Sequence, residues 1–142
     1  MDLLTALQRS GGLDALARQA GIATPQVHAA ARAVLPEMLA AFRNLPGGRA
    51  GLLAEFERHG GASLAAAVMA MERADAAPGK TILAHVPGLG NPALAEKVAQ
   101  AGVAPEPLLP LLVMLAVGYM SAMAAGHGAG PQGLDALLGY VA

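Results

Sequence analysis

The residues able to do chemistry are few and scattered. Four histidines, His28, His59, His85 and His127, stand singly, with no two on adjacent turns of one helix and no cysteine in the chain to complete a thiolate site. No metal and no cofactor are therefore expected, and each histidine reads as a surface or hydrogen-bonded structural residue. Ser63 and Ser121 lie in no nucleophile-elbow sequence, so no triad is visible and no catalytic residue is assigned. The stretch Ala74 to Thr81, ADAAPGKT, fits a loose phosphate-binding loop with Ala in place of the first Gly. Such a loop must follow a strand and open a helix. The preceding segment, LAAAVMAMERAD, is helical in pattern and no apolar strand ends in a magnesium-binding Asp, so the match reads as accidental.

A second pattern, Leu16-Ala17, Ala20-Gly21-Ile22 and Val27, has the spacing of a helix-turn-helix, in which a small residue and a turn glycine let two helices cross closely. Read as a DNA-binding unit, it makes Pro25 to Val34 the recognition helix. Only Gln26, His28 and Arg32 of PQVHAAARAV can reach a base edge, and no basic cluster flanks them for phosphates. Nine Lys and Arg against ten Asp and Glu leave a net charge of −1, without the field that draws a protein onto nucleic acid. Nucleic acid is not the expected partner, and the pattern reads as a packing corner.

The elements that position these residues are organised around Leu108 to Ala125, LLPLLVMLAVGYMSAMAA, which is uncharged and apolar on every side of a helical wheel. Such a helix must be enclosed by other helices or by lipid. No Lys or Arg follows Lys97 to anchor it at a membrane surface, and Pro110 stands near its start, so the expectation is a buried central helix and no membrane span. The segments available to enclose it are short, Ala-rich and broken by Gly and Pro. They are Leu3 to Arg9, capped by Asp2; Leu13 to Ala20, stopped by Gly21; and Pro25 to Arg43, capped by Thr24, with Pro36 expected to kink or split it. Gly51 to His59 follows, ended by Gly60 and Gly61, with Leu52, Leu53 and Phe56 on one face. Next come Leu64 to Ala74, capped by Ser63 with Val68, Met69 and Met71 inward, then Gly79 to His85, and Pro92 to Ala101, capped by Asn91 and stopped at Gly102. GHGAGPQG, residues 126–133, is a connector before a last short helix, Leu134 to Val141.

Internal similarity runs through this order. The Gln-Ala-Gly of LARQAGIATPQV recurs in VAQAGVAPEPL, and a Leu-Pro pair follows each, at Leu35-Pro36 and Leu109-Pro110. Fifteen positions separate Gly21 from Pro36 and eight separate Gly102 from Pro110, a shortening of about two helical turns that leaves the same face inward. The expected architecture is all-α: one domain, 1–142, of about seven to nine helices, with related halves 1–75 and 79–142 around the central helix.

GKTILAHVPG at Gly79 to Gly88, followed by ALAEKVAQAGV and PLLVMLAVGYM, resembles the bacterial family called domain of unknown function 937. The likeness rests on Gly79, Ile82, Leu83, His85, Gly88, Gly102, Pro110 and Gly118, and GLDALARQAGI with LPEMLAAF fits the family's first half. Departures are Pro78 where an acidic residue is usual, Pro87 where an aromatic is usual, and a connector before Pro110 about one turn shorter. The family has no established activity, so the resemblance implies a fold and assigns these eight positions a structural role. His85 is expected to bond a backbone carbonyl or a cap near Pro87-Gly88.

Hydrophobic residues make up 55% of the chain and charged residues 13%, so the surface must be rich in Ala and Gly or covered by a partner. The expected function is a non-enzymatic protein–protein interaction module that self-associates, with a homodimer favoured, or that takes an unidentified protein partner. The competing readings are a helix-turn-helix-like nucleic-acid binder and, more weakly, an enzyme with an unrecognised pocket. The N-terminus, MDLLTALQRSGG, lacks a basic segment followed by an apolar one, so no secretory signal is read there and the expected location is the cytoplasm.

Overall fold

In the computed structural model the described residues are 3–9, 11–43, 54–61, 63–70, 75–86, 89, 92–103 and 105–126. All secondary structure among them is helical: α1 (Leu3–Arg9), α2 (Gly12–Ala20), α3 (Thr24–Arg43), α4 (54–58), α5 (Ser63–Met69), α6 (Ala77–His85), α7 (Pro92–Gln100) and α8 (Pro105–Gly126). The fold is an all-α helical bundle.

Helix α8 occupies its centre because it has no polar face to turn outward. From Leu108 to Val117 every side chain is buried, as are Met120 and Ser121, and only Tyr119 is half-exposed along that run. Helices α5, α6, α2 and α7 take up its surface, and buried side chains from α1 to α8 form one contiguous core. Among the described residues no helix is long and apolar enough to cross a membrane. Ser121 is the single buried polar side chain there, and its hydroxyl has no partner, a cost of about 1–3 kcal/mol within an otherwise apolar helix.

Two glycines set how closely the neighbours approach α8. A Cβ on Gly79 of α6 would stand 2.0 Å from the Pro110 carbonyl oxygen, and one on Gly118 of α8 would stand 2.2 Å from the Ala65 nitrogen of α5. Backbone therefore lies against backbone at both crossings, which no side chain larger than hydrogen allows.

The glycine stops adopt the backbone that ends a helix in a left-handed residue. Gly21 has φ 72° and Gly102 φ 84°. At the first corner the Ile22 N–H donates to the Ala17 carbonyl at 3.1 Å; at the second the Val103 N–H donates to the Val98 carbonyl at 3.2 Å. Both corners thus close with the same 6→1 bond over a left-handed glycine.

Several local expectations are corrected. Thr24 is the first residue of α3 and not its cap, because the Ala23 carbonyl already accepts from the Gln26 and Val27 N–H groups. Pro36 does not split α3, which stays continuous for 20 residues. Its ring is on the exposed face while Val34, Leu35, Met38 and Leu39 hold the buried one. The Ser63 hydroxyl donates to the Gly60 carbonyl at 2.6 Å, closing the turn before α5 instead of capping its N–H groups. Helix α5 ends at Met69, well short of Ala74, and Met69 is 41% exposed. Leu64 and Val68, one turn apart, are the buried face of this two-turn helix, and Met69 lies about 100° round from Val68. Helix α6 begins two residues before Gly79, at Ala77, whose N–H donates to the Asp75 Oδ1 at 3.0 Å. The expected cap at Asp2, the inward Leu52, Leu53 and Met71, the Pro87-Gly88 turn, the Asn91 cap, the connector after Gly126 and the last helix lie outside the described residues.

The carbonyl end of α5 is satisfied by α2. Arg18 Nη2 donates to Met69 O at 3.3 Å and Ala70 O at 3.0 Å, and Gln19 Nε2 donates to Val68 O at 3.1 Å and Ala70 O at 3.2 Å. These are the orphan carbonyls of a helix end, met by a cation and an amide from a neighbouring helix.

Candidate functional site

Where α1, α2 and α3 meet, their side chains border a cleft of about 640 Å³ lined by Gln8, Leu13, Asp14, Thr24, Pro25, His28, Ala29 and Arg32. Its size is that of a small-molecule site. The polar wall is ordered by a relay from α1 to α3. Arg32 Nη2 lies 3.3 Å from His28 Nδ1, and His28 Nε2 lies 3.2 Å from Gln8 Oε1. A guanidinium can only donate, so Nδ1 carries the lone pair and the proton sits on Nε2, donated to the Gln8 carbonyl oxygen. One edge of Arg32 is held against the ring. Asp14, in the first turn of α2, is exposed on the other wall, and neither it nor Arg32 forms an ion pair among the described residues.

The second polar cluster joins α4 to α6. Glu55 Oε1 accepts from His59 Nε2 at 3.0 Å while its Oε2 lies 2.9 Å from Arg58 Nη1. The His59 ring meets that of His85 edge to face, with centroids 5.8 Å apart and planes at 72°. Two of the histidines that stand alone in the sequence are therefore neighbours in space. His85 is exposed and meets this ring, and the carbonyl or cap expected for it near Pro87-Gly88 lies outside the described residues. The C-terminal turn of α6 closes on its own backbone, the Val86 N–H donating to the Ile82 carbonyl at 3.0 Å. Among the described residues no three His, Asp or Glu side chains converge at metal-binding distance.

The phosphate-loop match fails on geometry. Residues 77–81 are the opening turn of α6, Gly79 is pressed on Pro110, and the Thr81 hydroxyl donates to the Ala77 carbonyl at 3.1 Å. No open cradle of N–H groups is left there. The helix-turn-helix unit is likewise a packing corner, with Leu16 and Ala17 of its first helix and Val27 of its second buried. On the second helix Gln26 and Arg32 are exposed and His28 is half-buried.

The family model described as bacterial protein of unknown function, domain of unknown function 937, matches residues 2–125. The chain belongs to that family. No curated protein and no solved structure matches it. In this member of the domain of unknown function 937 family the motif positions are distributed through the packing. Gly79 and Pro110 are the two sides of one backbone contact, Gly118 is the α8 side of another, and Ile82 is buried beside a half-buried Leu83. Gly102 forms the left-handed corner, His85 meets His59, and Gly88 lies outside the described residues. None of these positions lines the α1–α2–α3 cleft.

That cleft was partly open to sequence reasoning. His28 and Arg32 are four residues apart on one helix and so face the same way. Gln8 and Asp14 carry no such signal, because they arrive from other helices.

Proposed function

We propose that this chain is a non-enzymatic interaction module that self-associates, and that the contact is made by the outward face of α5 against the same face of a second copy. The observation that carries this is the composition of that face. Helix α5, SLAAAVM, holds no charged residue, buries Leu64 and Val68, and exposes Ser63, Ala66, Ala67 and Met69, with Ala70 following. Met69 is the exposed large hydrophobic among the described residues. Small residues let two helices approach closely, and a single patch of this kind is self-complementary about a two-fold axis. A charged share of 13% for the whole chain supports the same reading, since little on the surface opposes association.

Sedimentation equilibrium tests it. At about 0.1 mM, where an interface of micromolar strength is filled, the wild-type chain is expected to sediment as a dimer and Ala67→Glu as a monomer. The variant's melting temperature should stay close to the wild-type value, because Ala67 is outside the core. A wild-type monomer at that concentration removes the proposal, and a dimer that survives Ala67→Glu moves the contact away from α5.

A further inference from the structure

The cleft between α1, α2 and α3 is independent of the α5 face and has its own chemistry. Its two charged residues, Asp14 and Arg32, are of opposite sign, line the same space, and form no ion pair with each other or with any other described residue. A pair of that kind left open across a cleft matches a ligand that carries both charges. We propose that the cleft binds a small zwitterion, a free amino acid or a short peptide, with its carboxylate on Arg32 and its protonated amine on Asp14.

The geometry favours this class over its simplest rival, a phosphate-bearing anion. At the start of α3 the Gln26 and Val27 N–H groups are already bonded to the Ala23 carbonyl and Pro25 has none, so the helix end offers no cradle for phosphate. Asp14 would also repel a dianion. A carboxylate needs only the planar fork of Arg32, a residue that lines the cleft and is held at one nitrogen by His28 Nδ1. The Gln8–His28–Arg32 relay lowers the ordering cost of that contact, since the guanidinium is fixed before the ligand arrives. Leu13, Pro25 and Ala29 add apolar lining that suits short aliphatic side chains. The volume of about 640 Å³ accommodates more than one amino-acid residue.

The test uses the full chain, alanine, trialanine, and trialanine acetylated at its N-terminus, amidated at its C-terminus or capped at both ends, followed by amide and guanidinium chemical shifts in NMR titrations. Trialanine should move the signals of Thr24, His28 and Arg32. Both charges are exposed, so acetylation and amidation should each weaken binding about three- to fivefold. The fingerprint is in the variants. Asp14→Asn should erase the difference between free and acetylated peptide while leaving the penalty for amidation, and Arg32→Gln should do the reverse. Tighter binding of trialanine than of alanine identifies a peptide site, and the opposite order an amino-acid site. The proposal is overturned if the doubly capped peptide binds as well as the zwitterion, if the penalties are unchanged in the variants, or if no cleft signal moves at the highest concentration reached. Dimerisation is read separately by sedimentation, so the cleft can fail while the α5 contact stands, and the reverse.

Discussion

Leu112→Asp is expected to abolish cooperative folding. Leu112 is fully buried at the middle of α8, within a run of buried apolar side chains, and α8 is packed against α2, α5, α6 and α7. An unpaired carboxylate in such a place costs several kcal/mol, and removing the leucine forfeits a further 2–5 kcal/mol or so of apolar burial and packing. The sum rivals the total stability of about 5–15 kcal/mol that a domain of this size has to lose. The measurement is a thermal melt followed by circular dichroism, in which the variant should show no sigmoidal transition or should fail to stay in solution. Leu112→Met is the control: its near-equal volume should cost less than about 1.5 kcal/mol. A soluble Leu112→Asp chain with an unchanged melting curve would mean that α8 is not enclosed.

The second large effect runs against the ordinary rule for glycine. Within a helix, Gly→Ala normally stabilises by roughly 1 kcal/mol because the chain loses less entropy on folding. At Gly79 the added methyl would sit 2.0 Å from the Pro110 carbonyl oxygen and 2.6 Å from its carbon, atoms of backbone that cannot rotate away. Helices α6 and α8 would have to separate by more than 1 Å or so, opening voids along the contact. We expect Gly79→Ala to destabilise by about 3 kcal/mol or more in urea unfolding, and Gly118→Ala, whose methyl would stand 2.2 Å from the Ala65 nitrogen, to behave alike. Gly102→Ala provides the scale of a purely conformational penalty. Nothing lies within 4 Å of its added methyl, so only the left-handed φ of 84° is strained, at about 1–2 kcal/mol. Equal stability of Gly79→Ala and wild type would contradict the close crossing.

These two cases also mark what could be read from the residues alone. The span of α8 is legible because an uncharged stretch has no polar face to expose, and the stops at Gly21 and Gly102 are legible because few other residues tolerate positive φ. The glycine at position 79 is visible as a motif residue, but its reason is not, since Pro110 reaches it from another helix. The same holds for His59 and His85, which are 26 positions apart in the chain and edge to face in space. Met69 fails for a different reason. Helical periodicity predicts a face only while the helix lasts, and α5 stops after two turns with Arg18 and Gln19 taking its carbonyls. At the cleft, the His28–Arg32 pair follows from spacing on α3, whereas Gln8, which orders His28, could be assigned only once α1 was seen to lie beside it.

Self-association through α5 is tested most directly by covalent capture. The chain has no cysteine, so Ala67→Cys introduces a single thiol at the centre of the α5 face. Two-fold packing of that face brings the two thiols toward the short range, with Cα atoms about 4.4–6.8 Å apart, in which a disulfide closes without distortion. Ala99→Cys, exposed on α7, serves as the control. Mild oxidation of both variants, resolved on a non-reducing gel, should yield a covalent dimer from Ala67→Cys at protein concentrations where Ala99→Cys stays monomeric. Equal yields from the two positions, or none from Ala67→Cys, would contradict the α5 contact.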